Sequence, residues 1–196
     1  MSSDSPIEYF ESAKTAARIP ITAPLVREAL IQFTLDAAVR RIEIVPSATV
    51  RGVIVPLDAI VLAGDAGREL LEFPELAATR DLDAAGLELL AVEQLKLRVR
   101  RVTTAEIRRE PRASNCRTVW ACRHRRVSVD DWVRLLDVLG EEGPMALSRA
   151  AAEMRFAGGA ISAVLALACT DLIEIDLESA LLGPETLVRR RAHNKE

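Results

Sequence analysis

Asp58 and Glu72 flank the Gly64-Asp65-Ala66-Gly67 segment, in a stretch where valine, isoleucine and leucine alternate with small or polar residues. On two antiparallel strands joined by a tight turn, such carboxylates come close together, and a pair of them can hold a divalent metal beside a scissile phosphate. A lysine two residues beyond the second acid would share its strand face and stabilise developing charge. In this chain that position is Pro74, which has neither a charge nor a backbone donor. The same acids also have a plain structural reading, Asp58 as a turn residue and Glu72 as an exposed edge-strand acid.

A second chemistry lies in the arginines. Arg108, Arg109, Arg112, Arg117, Arg123, Arg125 and Arg126 form the densest basic tract, and arginine far outnumbers lysine. Residues 91–130 carry 11 Lys/Arg against 4 Asp/Glu, a net +7, between 1–90 at −6 and 131–196 at −4. The whole chain is only −3, but a polyanion responds to the local patch rather than to the average. Guanidinium groups match phosphate geometry, which makes this tract, with Arg155 and Arg189, Arg190 and Arg191 further on, a candidate DNA contact. Such a tract is otherwise a solvated face, or the answer to acidic segments within the fold.

Metal and nucleophile patterns are poor elsewhere. Cys116, Cys122 and His124 lack a fourth zinc ligand, and their spacing is not that of a knuckle. Cys169 falls on an apolar helical face and reads as core, and His193 as a solvated tail residue. Nucleophile elbow, phosphate-cradling loop and dinucleotide fingerprint are all missing. Three unevenly spaced cysteines fit a reducing compartment. No apolar run reaches membrane-spanning length and the start is polar, so a cytoplasmic protein without membrane association is expected, nucleoid-associated where it binds DNA.

The elements that must position these residues follow from periodicity. Residues 1–22 read as an arm, with at most a short helix over 7–17. A first helix is expected over 23–36, then three or four strands broken at Pro46-Ser47, Pro56-Leu57 and the Gly64–Gly67 turn. A helix over 82–97, capped by Asp81 or Asp83, leads to a strand at 97–102 and a short helix opened by Thr103 or Thr104. This is an α/β or α+β unit in which a helix crosses over between strands. Residues 113–127 form a basic helix or linker. Beyond 127, a helix from Asp130 stopped by Gly140, one near 146–154 and one over 160–169 after Gly158-Gly159 precede strands at 172–177 and 185–190. That is the plan of a winged helix-turn-helix. The expected divisions are therefore 1–22, 23–127, 128–191 and a tail, 192–196.

Over about 23–127, the order of motifs resembles the N-terminal domain of TnsA-type transposon endonucleases, within the PD-(D/E)xK nuclease fold. Asp36-Ala37-Ala38-Val39-Arg40-Arg41-Ile42 through Pro46 matches the lead-in strand. Pro56-Leu57-Asp58 stands for Pro-Asp, and Glu72-Phe73-Pro74 for Glu-x-Lys. Val102-Thr103-Thr104-Ala105-Glu106-Ile107 matches a Val-Thr-x-x-Glu-Ile stretch, and Asn115 with Trp120 to Arg126 matches an asparagine followed by an aromatic and basic cluster. The resemblance implies a restriction-endonuclease-like mixed sheet with flanking helices, Asp58 and Glu72 as Mg²⁺ ligands, and DNA as substrate. Two working groups depart from it: Pro74 replaces the lysine, and the first-helix glutamate has no match, Val26 standing at its place and Glu28 on another helical face.

A noncatalytic, DNA-associated scaffold or regulator is therefore expected, a pseudonuclease of mobile-element type binding double-stranded DNA. The alternatives are an active metal-dependent endonuclease with Glu69, Glu75 or a partner chain supplying the missing groups, and a protein adaptor that does not touch DNA. The winged helix, or a homodimer contact, would carry any protein partner.

Overall fold

The computed structural model describes residues 7–77, 82–155 and 159–192, with only the backbone of 82–84. The chain is a mixed α/β protein whose described strands form sheets of two, four and three strands. It divides into two compact units, residues 1–107 and 108–196. The division precedes the expected boundary at Val127–Ser128, because the helix over 112–121 packs against a helix of the second unit.

In the first unit, β1 (Tyr9–Phe10) pairs antiparallel with β2 (Ile19–Pro20). Between them, Ile42 donates its N–H to Lys14 O at 2.8 Å and Ala16 donates to Ile42 O at 3.1 Å. The expected arm is thus extended chain stitched to the sheet, with no helix, held by the buried side chains of Phe10 and Ile19. Lys14 is buried too, and its ammonium donates to Asp36 O at 2.7 Å.

Helix α1 (Pro24–Leu35) opens on a proline at its first turn and buries Leu25, Val26, Ala29, Leu30 and Phe33. The sheet runs in the order β3 (Val39–Val50), β4 (Val53–Gly64), β5 (Gly67–Glu72) and β6 (Arg98–Arg101). The first three are antiparallel; β6 joins β5 in parallel, reached through α2 (Leu82–Gln94). The expected α2 cap Asp81 and the side chain of Asp83 lie outside the described residues. Thr103 caps α3 (Thr104–Ile107), its hydroxyl accepting from Glu106 N at 3.2 Å.

The strand breaks expected at the prolines do not occur: β3 and β4 run straight past Pro46 and Pro56. Their register shifts there, since Val45 faces Ala59 and Ser47 faces Pro56, which leaves Pro46 opposite a bulge at Leu57-Asp58. β5 pairs only with residues 61–64 of β4, so this stretch needs no donor toward β5. The hairpin turns instead at Arg51-Gly52, both left-handed with φ 50 and 84, as a two-residue hairpin loop requires.

The second unit begins with α4 (Arg112–Ala121), then α5 (Val129–Glu142), β7 (Met145–Ala146), α6 (Leu147–Ala152), α7 (Ala160–Cys169), β8 (Ile173–Ile175) and β9 (Leu187–Arg190). Its sheet is three-stranded, in the order β7-β9-β8, rather than the expected two-stranded hairpin. Ser128 caps α5, accepting from Asp131 N at 3.2 Å. The helix passes through Gly140 and ends at Gly143, where φ is 83. Gly158 and the tail residue His193 lie outside the described residues.

Candidate functional site

Asp58 and Glu72 line the same cavity of the first unit, about 520 Å³ in volume. Its walls are mainly apolar, with Leu57, Ile60, Leu71, Phe73, Leu89 and Val99 among them; Glu88 is a third acid on the lining. Asp58 is exposed at the bulge with φ 43, a backbone region that aspartate tolerates better than most residues. It has no ion pair among the described residues. Bulges re-aim side chains, and this one turns the Asp58 position out of the regular alternation of β4.

Glu72 is engaged. Register sets Glu69 beside Arg98 and Glu72 beside Arg101 across the parallel β5–β6 pair. Arg101 Nε donates to Glu72 Oε2 at 2.9 Å, Arg98 reaches Glu69 at 3.2 Å, and Arg100 lies 3.6 Å from Glu69 and 3.5 Å from Glu106. Arg100 also stacks 4.8 Å over the Phe33 ring. Beyond Glu72 the strand stops, and Pro74 opens a 3-10 turn, Pro74–Leu76. No lysine therefore follows Glu72 on its strand. Of the acids that would supply the missing groups, Glu69 is paired with Arg98. Glu75 accepts Thr104 N at 3.0 Å, the hydrogen bond that chiefly holds its carboxyl below the usual range. Among the described residues no group of three or more His, Cys, Asp or Glu could hold a metal ion.

In the second unit many tract arginines answer carboxylates. Arg112 and Arg109 converge on Glu178, the latter at 3.8 Å, and Arg117 pairs with Glu110 at 3.3 Å. Arg123 lies 5.2 Å over the Trp120 ring and donates to Trp120 O. Arg125 packs against Gly159, where an added Cβ would meet its guanidinium at 2.9 Å. Arg108 and Arg126 are exposed, as are Arg155 and Arg190. Arg155 donates its backbone N–H to Asp131, and Arg190 reaches Leu136 O at 3.5 Å. Exposed arginines keep the option of a phosphate, since surface ion pairs are weak.

Arg191 is a correction. Counted with the DNA-contacting residues, it is only 3% exposed, bonded to Glu174 at 3.0 Å and beside Asp171 at 3.2 Å. It holds β8 to β9 rather than facing solvent. Burial works against the charge of Glu174, but hydrogen bonds from Arg191 and Arg189 outweigh it and hold its pKa below the usual value.

Helix α7 has Ala163 through Cys169 buried, and α4 packs against it. Burial pushes the Cys169 thiol up to about 12, in keeping with a core role. Asn115, on α4, is buried; its amide donates to Leu177 O at 3.0 Å and Ala180 O at 2.7 Å, and its carbonyl accepts Leu182 N at 2.9 Å. The segment leading to β9 is thereby tied to α4. Arg155, ahead of α7, is exposed; within α7 Ser162 is half-buried and Ile161 is the exposed large apolar residue.

Sequence reasoning missed the roles of Arg98, Arg100 and Arg101. The signal was present: Glu69 and Glu72 are spaced as Arg98 and Arg101 are, the spacing a parallel register needs to pair them. No protein-family model matches the chain, and no curated protein matches it closely enough to count as a relative.

Proposed function

We propose that the chain is a noncatalytic, DNA-associated scaffold: a nuclease-like unit of TnsA type that has lost its cleavage chemistry, followed by a unit of winged-helix type. The observation that carries this reading is the fate of the two acids. Asp58 and Glu72 share one cavity, yet Glu72 is paired with Arg101 and the position of the expected lysine is a proline opening a turn. Two carboxylates in a largely apolar cavity can hold a metal loosely, but the lysine that would activate water and offset charge on a leaving oxygen is replaced by Pro74. Mg²⁺ belongs only to the active-nuclease alternative.

Contact with DNA is assigned to the exposed arginines of the second unit, chiefly Arg108, Arg126, Arg155 and Arg190, with Arg109, Arg117 and Arg189 exchanging their carboxylates for phosphates. Such contacts position a duplex without reading its sequence. Fluorescence anisotropy of a labelled duplex across a salt series tests this. The expected result is weak binding that falls steeply with salt and is equal on unrelated sequences.

The adaptor alternative is favoured by one observation. Asp130, Asp137 and Glu141 line a groove of α5 with Val133 and Val138, and although Arg134 and Arg155 also line it, the excess of acid suits a basic protein segment better than a polyanion. Absence of duplex binding at low salt would select it.

A further inference from the structure

The β3–β4 hairpin ends in an unusual tip. Arg51 and Gly52 make the turn, and Val53 and Ile54 follow it with 52% and 72% of their surfaces exposed. Arg51 is exposed as well and has no ion pair among the described residues. Two bare aliphatic side chains beside a lone cation call for a surface that is apolar with a carboxylate at its edge.

The first unit carries such a surface. The cavity at Asp58 has apolar walls, includes the exposed side chains of Leu89 and Val99, and offers an Asp58 carboxylate without an ion pair among the described residues. At about 520 Å³ it has room for two aliphatic side chains. The tip cannot turn back into its own cavity, because Val53 and Asp58 lie on one strand, roughly 15 Å apart at the usual rise per residue.

We propose that this cavity receives the hairpin tip of a second copy of the chain, Val53 and Ile54 entering the apolar walls and Arg51 meeting Asp58. Each copy carries both halves of the contact, so reciprocal exchange closes as a two-fold dimer. The inference rests on the noncatalytic reading of the cavity, and association is measured apart from cleavage, so either can fail alone.

Sedimentation velocity of the full chain over a concentration series tests it, with far-UV circular dichroism confirming that each variant folds. Wild type is expected to shift from monomer to dimer as concentration rises. Ile54→Asp, a change at an exposed position, should leave the chain monomeric. Arg51→Asp and Asp58→Arg should each weaken association about tenfold or more, and the two together should restore it. Asp58→Asn, which keeps a residue tolerant of the left-handed backbone, should also weaken it. A wild type that stays monomeric throughout, an Ile54→Asp dimer of unchanged strength, or a charge-swapped pair no better than its single variants would overturn the proposal.

Discussion

Arg101 donates from Nε to Oε2 of Glu72 at 2.9 Å, across the parallel pairing that sets the two residues side by side on β5 and β6. The pair is largely exposed, so it adds only about 0–1 kcal/mol to stability. Its importance is chemical, because a metal ion would have to displace Arg101 from this carboxylate. Arg101→Ala is therefore expected to fold with a melting temperature within a few degrees of wild type. It should still not cut DNA, because freeing Glu72 does not supply the group missing at Pro74. Thermal melting and a nicking assay on the same preparation check both halves.

Gly64 is required by space at the start of the β4–β5 turn. A Cβ there would lie 2.3 Å from Ala38 O, a backbone atom that cannot swing aside. Gly64→Ala should destabilise the first unit by about 1–3 kcal/mol, the usual range for forced overpacking. Urea unfolding followed by far-UV circular dichroism would register this, and an unchanged midpoint would contradict the close approach.

Asn115→Ala should act on the other unit. It strands the carbonyls of Leu177 and Ala180 and the N–H of Leu182, at about 1–3 kcal/mol for each group left without a partner or water. Both tryptophans, Trp120 and Trp132, lie in residues 108–196. Their fluorescence should thus report a lowered urea midpoint for the second unit. A Gly64→Ala variant should leave that signal unchanged.

Acid should weaken the second unit first. Asp131 is held below the usual carboxylate range mainly by the Arg155 N–H, then by the Ser128 hydroxyl. For Asp176 the Ser179 side chain leads, and for Glu174 the two arginines overcome burial. A carboxylate whose pKa is depressed in the folded state contributes stability above its unfolded pKa of about 4 and loses it as pH falls through the folded value. The tryptophan-detected melting temperature is expected to be level near neutrality and to fall below about pH 4. Glu174→Gln should flatten part of that fall; an identical profile would remove Glu174 from the linkage.

Much of the fold was legible because local signals agreed with it. Helix α1 follows the apolar spacing of 23–36, α7 follows the run from Ala160 to Cys169, and the switch from strands to α2 to β6 gave the crossover. The prolines misled, since Pro46 and Pro56 read as strand ends when the chain absorbs them at a bulge. The Arg51-Gly52 turn was hidden because arginine seldom adopts a left-handed backbone. At the site, the meeting of Asp58 and Glu72 in one cavity follows from a hairpin the sequence announces at Gly64–Gly67. The capture of Glu72 by Arg101 and the burial of Arg191 do not, because both depend on pairing between strands well separated along the chain.

Replacing Arg126 and Arg190 together by alanine should lower duplex affinity on every sequence alike. The salt dependence should become shallower by about one unit for each phosphate that the variant no longer neutralises. Arg191→Ala should instead lower stability, because it leaves Glu174 and Asp171 short of a partner. Anisotropy and melting, measured on both variants, separate the two roles.

The most direct measurement is electrophoresis of a supercoiled plasmid incubated with purified protein and Mg²⁺ at low salt, run with and without removal of the protein. The expected result is a retarded plasmid that returns wholly to the supercoiled form once the protein is stripped, for wild type and Asp58→Ala alike. Magnesium-dependent conversion to relaxed or linear plasmid by wild type, abolished in Asp58→Ala, would contradict the noncatalytic reading. A plasmid never retarded at any protein concentration would contradict the association with DNA.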